Sequence, residues 1–420
     1  MDPRADPACL LEPLRQRERE LLARIEELVN LDSGSWSADG VNRVADRVQA
    51  RLREGGWWVE RHPHRPEPDW SGPGLGDLLV GHRAGGLPPS LGRRLLLLAH
   101  MDTVFDDGTA AERPFHTRDG RAYGPGVADD KAGVVCGVEA VEVLCDLAGF
   151  ADFTEITLVC SPDEEIGSPF SRPLIQALAA DHDVALGLEA ARVTGALVSA
   201  RKGISAFTVE VTGRAVHAGV RPREGVNAVL EAAHKTVALQ ALNGRWQGVT
   251  CNVGVLRGGT RTNVIADRAT LHAEVRAATT AAFEEAMAEV ERIVETTTVP
   301  GATARLLPAH WHQPMERTAA VAALVAEARA VARDLGFEVG EAATGGAGDA
   351  NTTAAVGLPT IDGLAPVGGE AHGPSEWLDL GSVVPRTALL AGLLARLGGS
   401  GRGSPPDPPV DLGRRAPSPD

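Results

Sequence analysis

Two histidines and five carboxylates stand where they could do chemistry together. His100 and Asp102 follow a run of leucines in LLLLAHMDTVF, and Asp129 stands in GPGVADDKAG, directly before a helical pattern. Glu164 and Glu165 follow a second apolar run in SPDEEIGS, Glu189 closes the apolar stretch 184–188, and His372 lies in the glycine-rich GGEAHGPSEW. Each has an ordinary explanation when taken alone. A loop histidine is commonly a surface residue, an Asp before a helix is commonly its cap, and adjacent glutamates commonly mark a solvated turn. Together they are imidazoles and carboxylates, each at the end of a core element. That nitrogen and oxygen ligand set suits zinc or a similar divalent ion. An Asp placed between two such ions can bridge them at roughly 3.5–4 Å, and nearby cations would explain the adjacent, mutually repelling Glu164 and Glu165.

The elements that must position these residues read as an α/β fold, since open α/β sheets carry their sites beyond the carboxyl ends of strands. The continuous run 95–99 suits a strand buried on both faces in a helix-flanked, mostly parallel sheet. The pattern predicts helices over 14–31 and 41–54, strands near 57–61, 77–82, 94–99, 155–160 and 358–362, and a helix over 130–147, where Val134, Val135, Val138, Val141 and Leu144 recur at helical spacing. Near 203 the pattern changes. A strand over 204–211, a helix over 225–242, strands near 249–256 and 268–276, a helix over 280–295 and a strand over 303–307 follow in the order β-α-β-β-α-β, a ferredoxin-like motif. The expected organisation is a catalytic domain over 14–202 and 313–398, interrupted by a lid or dimerisation domain over 203–312. Residues 1–13 and the proline-rich 399–420 are expected to be disordered tails.

Composition narrows the class. At 420 residues and 43% apolar content, the chain exceeds one ordinary core and holds enough apolar surface for two. A net charge of −15 argues against a nucleic-acid binder or a polybasic membrane contact, and reads most simply as solubility. The five cysteines include no C-x-x-C pair, so neither a disulfide framework nor a cysteine zinc site is expected. A reducing cytoplasm is the default location. The N-terminus lacks the apolar stretch of a signal peptide, and the longest dense apolar run, 95–99, is far short of a membrane span.

The segments HMDTVF, YGPGVADDKAG, SPDEEIGS, SARKG, RAVHAG, GGTRTNVI and GGAGDANTTAAVGLPTIDG with AHGPSEW cover about 14–397. Through them the sequence resembles the di-zinc carboxypeptidase and aminoacylase superfamily, in its glutamate carboxypeptidase-like branch. The resemblance implies two zinc ions per chain, for which cobalt or manganese would suit the same ligands. It assigns His100, Glu189 and Asp129 to one ion, and Glu165, His372 and Asp129 to the other. Asp102 would fix the His100 imidazole, and Glu164 would be the general acid/base for a metal-activated water. The Asp129–Asp130 peptide is expected to be cis. His217 would reach the tetrahedral oxyanion from the small domain of a second protomer, although alone it reads as a plain loop histidine. Arg276 and Asn263 would clamp the substrate's free carboxylate, although alone they read as a surface Arg and a turn Asn. Gly345, Gly346 and Asp349 would shape the pocket wall, with Gly346 offering backbone contacts. Ala266 departs from the proline frequent in the family and removes no functional group. The implied activity is hydrolysis of the amide bond of a small peptide or N-acyl amino acid with a free carboxylate, in a homodimer joined through 203–312. A biosynthetic deacylase or trimming amidase is the alternative within enzymes. A non-catalytic metal-binding scaffold is a third reading, against which the retention of Glu164 beside Glu165 argues.

Overall fold

Leucine alternation in the strand Arg94–His100 organises the larger part of the molecule. Leu95, Leu97 and Ala99 belong to one buried cluster and Leu96 and Leu98 to another, so successive side chains enter cores on opposite faces of the sheet. This computed structural model describes residues 7–66, 70 and 72–399. The sheet runs in the order Trp58–His62, Leu78–Ala84, Glu155–Ser161, Arg94–His100, Val184–Gly187, Thr360–Ile361. Arg94–His100 pairs parallel with both neighbours, Thr360–Ile361 pairs parallel with Val184–Gly187, and only the Trp58 edge is antiparallel. The helices Pro7–Val29, Lys131–Glu142, Ala319–Asp334 and Leu380–Gly398 contribute to the first core and Arg172–Ala180 to the second. The α/β class therefore holds. Leu380–Gly398 is the one described helix long and apolar enough to cross a membrane. It is largely buried and packs on Pro7–Val29 and Lys131–Glu142, as the central helix of a core does.

Residues 203–312 form the sheet Thr250–Gly258, Arg268–Ala277, Gly203–Thr212, Thr303–His312 in that order, with every pairing antiparallel. The helices Ala228–Gln240 and Thr280–Glu295 pack on it. Its core includes Phe207, Val209, Leu271, Val275, Phe283 and Val290, and the buried residues of this cluster all fall between 207 and 294.

Two expectations need correction. The first helix begins at Pro7 rather than 14, because Leu10 and Leu14 are one helical turn apart and both buried, which extends the amphipathic stripe toward the N-terminus. Pro7 as its first residue lacks an N–H that no helical bond would have used. The remaining parts of the expected tails, 1–6 and 400–420, lie outside the described residues. The sequence also concealed short strands. His116–Arg118, Arg121–Tyr123, Trp377–Asp379, Ala365–Gly369 and Ala190–Ala191 form a further sheet, and Leu197–Arg201 pairs parallel with Glu341–Thr344. Strands this short are too brief to display alternation.

Candidate metal centre

His100 is the last residue of its strand, and its ring is fixed on both sides. Its Nδ1 lies 3.3 Å from Asp102 Oδ1, while its Nε2 lies 2.9 Å from Asp129 Oδ1 and 3.6 Å from Glu189 Oε1. The other oxygen of Asp129, Oδ2, lies 3.2 Å from His372 Nε2, which is 3.0 Å from Glu165 Oε2. One carboxylate thus faces two imidazoles, each through a different oxygen. Ligand atoms of His100, Asp129 and Glu165 all lie within 4.8 Å of one another, as do those of His100, Glu164 and Glu189. The Asp129–Asp130 peptide is cis. His372 sits at φ 64°, in the left-handed region that non-glycine residues seldom adopt.

Surrounding groups hold these side chains. The carboxylate of Asp102, fully buried, accepts the backbone N–H groups of Glu164 and Glu165, each at 3.1 Å, and the Ser35 hydroxyl at 2.7 Å. One residue therefore orients the His100 ring and anchors the turn carrying both glutamates. Glu376 accepts the N–H groups of Gly126, Ala128 and Asp129 at 3.1, 2.9 and 3.1 Å, which ties the loop carrying His372 to the loop carrying Asp129. Asp349 accepts the hydroxyls of Ser161 and Ser168. Gly348 leaves room for Glu164, since a Cβ there would stand 2.6 Å from Glu164 Oε1. Arg201 donates from Nε to Asp362 at 2.7 Å and from Nη1 to the Gly346 carbonyl at 3.1 Å, and its Nη2 stands 3.8 Å from Glu189. Sequence reasoning missed Ser35, Arg201, Asp362 and Glu376. All but Ser35 fall in the segments that carry the resemblance, which was the available signal.

The charge balance tests whether cations belong here. Burial drives Glu164 well above the usual carboxylate range, and the neighbouring Glu189 and Glu165 push the same way. Glu189 is raised to about 8 by burial and by Asp129. Burial also opposes ionisation of Asp129, but hydrogen bonds from His100 and His372 reverse that and hold it below its usual range. His372 is raised to about 10 by its bonds to Asp129 and Glu165. Burial disfavours the charged form of His100, yet Asp102 and Asp129 carry it well above its ordinary value. Protonated imidazoles are thus the positive partners of a crowded carboxylate cluster, the role that divalent cations take in such a donor set. The residues fit a pair of ions: His100, Glu189 and Asp129 would hold one, and His372, Glu165 and Asp129 the other.

A cleft of about 390 Å³ opens in front of this cluster, lined among others by Asp129, Glu164, Glu165, Arg201, Gly346 and His372. Arg276 reaches toward its edge from the inserted domain, donating from Nη1 to the Gly345 carbonyl at 2.7 Å. Its Nε and Nη2 are held by the two oxygens of Glu274 at 2.9 and 3.2 Å, a pairing that sequence reasoning did not foresee. His217 and Asn263 lie side by side elsewhere on the inserted domain: His217 bridges to Val264, and Ala218 N–H donates to the Asn263 carbonyl at 2.9 Å. Both are exposed and neither lines the cleft, so one chain does not bring them to the other site residues.

The comparisons with known proteins agree with this geometry. The family model described as peptidase family M20/M25/M40 matches residues 96–396. Carboxypeptidase G2 of Pseudomonas sp. (strain RS-16) is 31% identical over 392 residues, covering 93% of this chain and 92% of that protein. Among solved structures, aminopeptidase PepT of Bacillus cereus superposes with a TM-score of 0.72 at 22% identity, covering 90% of this chain and 98% of that one. Human carnosine dipeptidase 1 gives 0.67 at 15% identity, covering 92% and 98%. The chain belongs to peptidase family M20/M25/M40 and is a metal-dependent peptidase or amidohydrolase of that family.

Proposed function

We propose that the chain hydrolyses the amide bond of a small peptide or N-acyl amino acid bearing a free carboxylate, using two zinc ions that share Asp129. The observation that carries this reading is the Asp129 carboxylate, whose oxygens separately face His100 and His372 at 2.9 and 3.2 Å. When bound, the ions would supply Lewis acidity and lower the pKa of water. The remaining work falls to the chain's own residues. Glu164 lies against Gly348 at the cleft, is raised by burial and is assigned to no ion, which suits a group that takes a proton and then returns it to the leaving nitrogen. Asp102 keeps His100 in register, and Glu376 keeps the Asp129 and His372 loops together. Arg276, at the domain boundary, is the donor for the substrate carboxylate.

His217 and Asn263 complete the site from a second copy in this reading. Their exposure supports it, as does the outer strand Thr250–Gly258, on which Val255 and Leu256 are exposed. An unpaired edge of this kind is a ready surface for self-association. One chain of the p-aminobenzoyl-glutamate hydrolase of Escherichia coli is 42% identical over 73 residues and supports an amide beside an acidic residue as the scissile bond. The test is a panel of dipeptides and N-acyl amino acids, each offered as the free acid and as the carboxamide, with added zinc. Turnover of free acids alone is expected. Zinc-loaded protein that cleaves none of them would overturn the reading.

A further inference from the structure

On the far side of Glu165 lies a second hollow, of about 350 Å³, which the reading above does not use. It is built on two paired stretches: Thr103 N–H donates to the Ser33 carbonyl at 2.8 Å, and Ser35 N–H to the Thr103 carbonyl at 3.1 Å. Ser35 also bonds Asp102, so the floor of the hollow is continuous with the metal centre. Trp36 and Val104, 53% and 43% exposed, form an apolar wall with Phe105. Trp70 stands beside Trp36, with ring centroids 6.4 Å apart. Asp106 and Asp107 stand exposed in the lining, and neither lysine nor arginine lines it. The Ser37 hydroxyl donates to Asp107 Oδ2 at 2.9 Å, which leaves Oδ1 as an acceptor.

The first cleft has the opposite character. Arg201 lines it, and Arg276 reaches the Gly345 carbonyl beside its lining residue Gly346. The metal centre therefore lies between an end that carries arginines and an end that carries carboxylates and an open indole. An indole face beside carboxylates attracts a cation and repels an anion. Glu165 borders both spaces, so one extended molecule crossing the metal centre would enter both.

We propose that this hollow binds a cationic amine on the acyl side of the scissile amide, so that the preferred substrate is a small peptide with a free amine at one end and a free carboxylate at the other. The inference rests on the reading of the site as an amide hydrolase and chooses the free peptide over the N-acylated amino acid. Its carboxylate lies toward Arg276, its amine against Trp36 and Asp107, and the amide between them within reach of Glu164. Opposite charges at the two ends also fix the direction in which the substrate enters.

The experiment compares alanyl-glutamate with N-acetyl-alanyl-glutamate, a pair that differs in the charge of the amine, on zinc-loaded full-length protein. The parent is expected to favour the free amine by about tenfold in kcat/KM, with the preference narrowing as salt is raised. Asp107→Asn and Trp36→Ala are each expected to shrink the preference to about threefold or less, while Trp36→Phe, which keeps an aromatic face, retains most of it. Equal or faster cleavage of the acetylated compound by the parent would overturn the inference and leave the hydrolase reading standing, as would variants that keep the parent's preference. Cleavage of neither compound, nor of any in the wider panel, would overturn both.

Discussion

The cleft face of the large domain and the rim of the inserted domain solve different problems. On the large domain every proposed ligand hangs from or near a strand end and is braced from behind: His100 by Asp102, Asp129 by the bonds of Glu376 to its loop, Glu189 by its nearness to Arg201. On the inserted domain the proposed substrate groups are exposed or bonded to neighbours in their own loop. Arg276 is held by Glu274, and His217 accepts the N–H of Gly219 at 3.1 Å. The difference teaches that the metal centre is assembled within one chain, whereas the recognition groups are completed by something outside it, a substrate or a second copy.

The comparison breaks first at Glu164. Glu164→Ala is expected to keep its metals and lose about 100- to 10,000-fold in kcat; metal analysis beside turnover would show whether the two properties separate. Glu376→Gln tests the bracing. A Gln in its place keeps one acceptor and turns an N–H₂ group toward backbone N–H groups, so metal affinity should fall about 10- to 100-fold in a competitive chelator titration. Arg276→Ala should leave metal affinity intact while kcat/KM falls about 10- to 100-fold on free acids and little on carboxamides. Equal loss on both would remove Arg276 from carboxylate recognition and make the rim structural. The smallest effect is on protons. With His372 raised to about 10 and Glu189 to about 8, both carry protons at pH 7 in the metal-free chain and must release them to ligate. Apparent zinc affinity should therefore rise with pH from 6 to 8, by up to about tenfold per unit for each proton released. Calorimetry in buffers of different ionisation enthalpy would count those protons.

How much of this was legible in the sequence follows from where each residue sits. The leucine run 95–99 announced a doubly buried strand, and the residues just beyond such runs are where an α/β sheet carries its site. His100, Asp102, Glu164, Glu165 and Glu189 were therefore found from pattern. The inserted domain was legible because its strands and helices are long enough to show their periods. Ser35 was not legible, because a serine in a bend carries no pattern until the fold brings it to Asp102. Glu376 was hidden in the same way, its partners being 247 or more residues away in the chain. The Arg276–Glu274 pair was hidden for a different reason. Two residues apart on a strand, their side chains share a face, yet only the structure shows the guanidinium turned along the strand rather than away from it.

The most direct test of the shared centre is metal stoichiometry in the parent and in Asp129→Ala, measured by elemental analysis after zinc loading and desalting, with anomalous scattering to locate the ions. The account predicts two ions per parent chain on either side of Asp129, and weakened binding of both in the variant, since one carboxylate serves both. A parent that saturates at one ion, or a variant that keeps two at undiminished affinity, would contradict it.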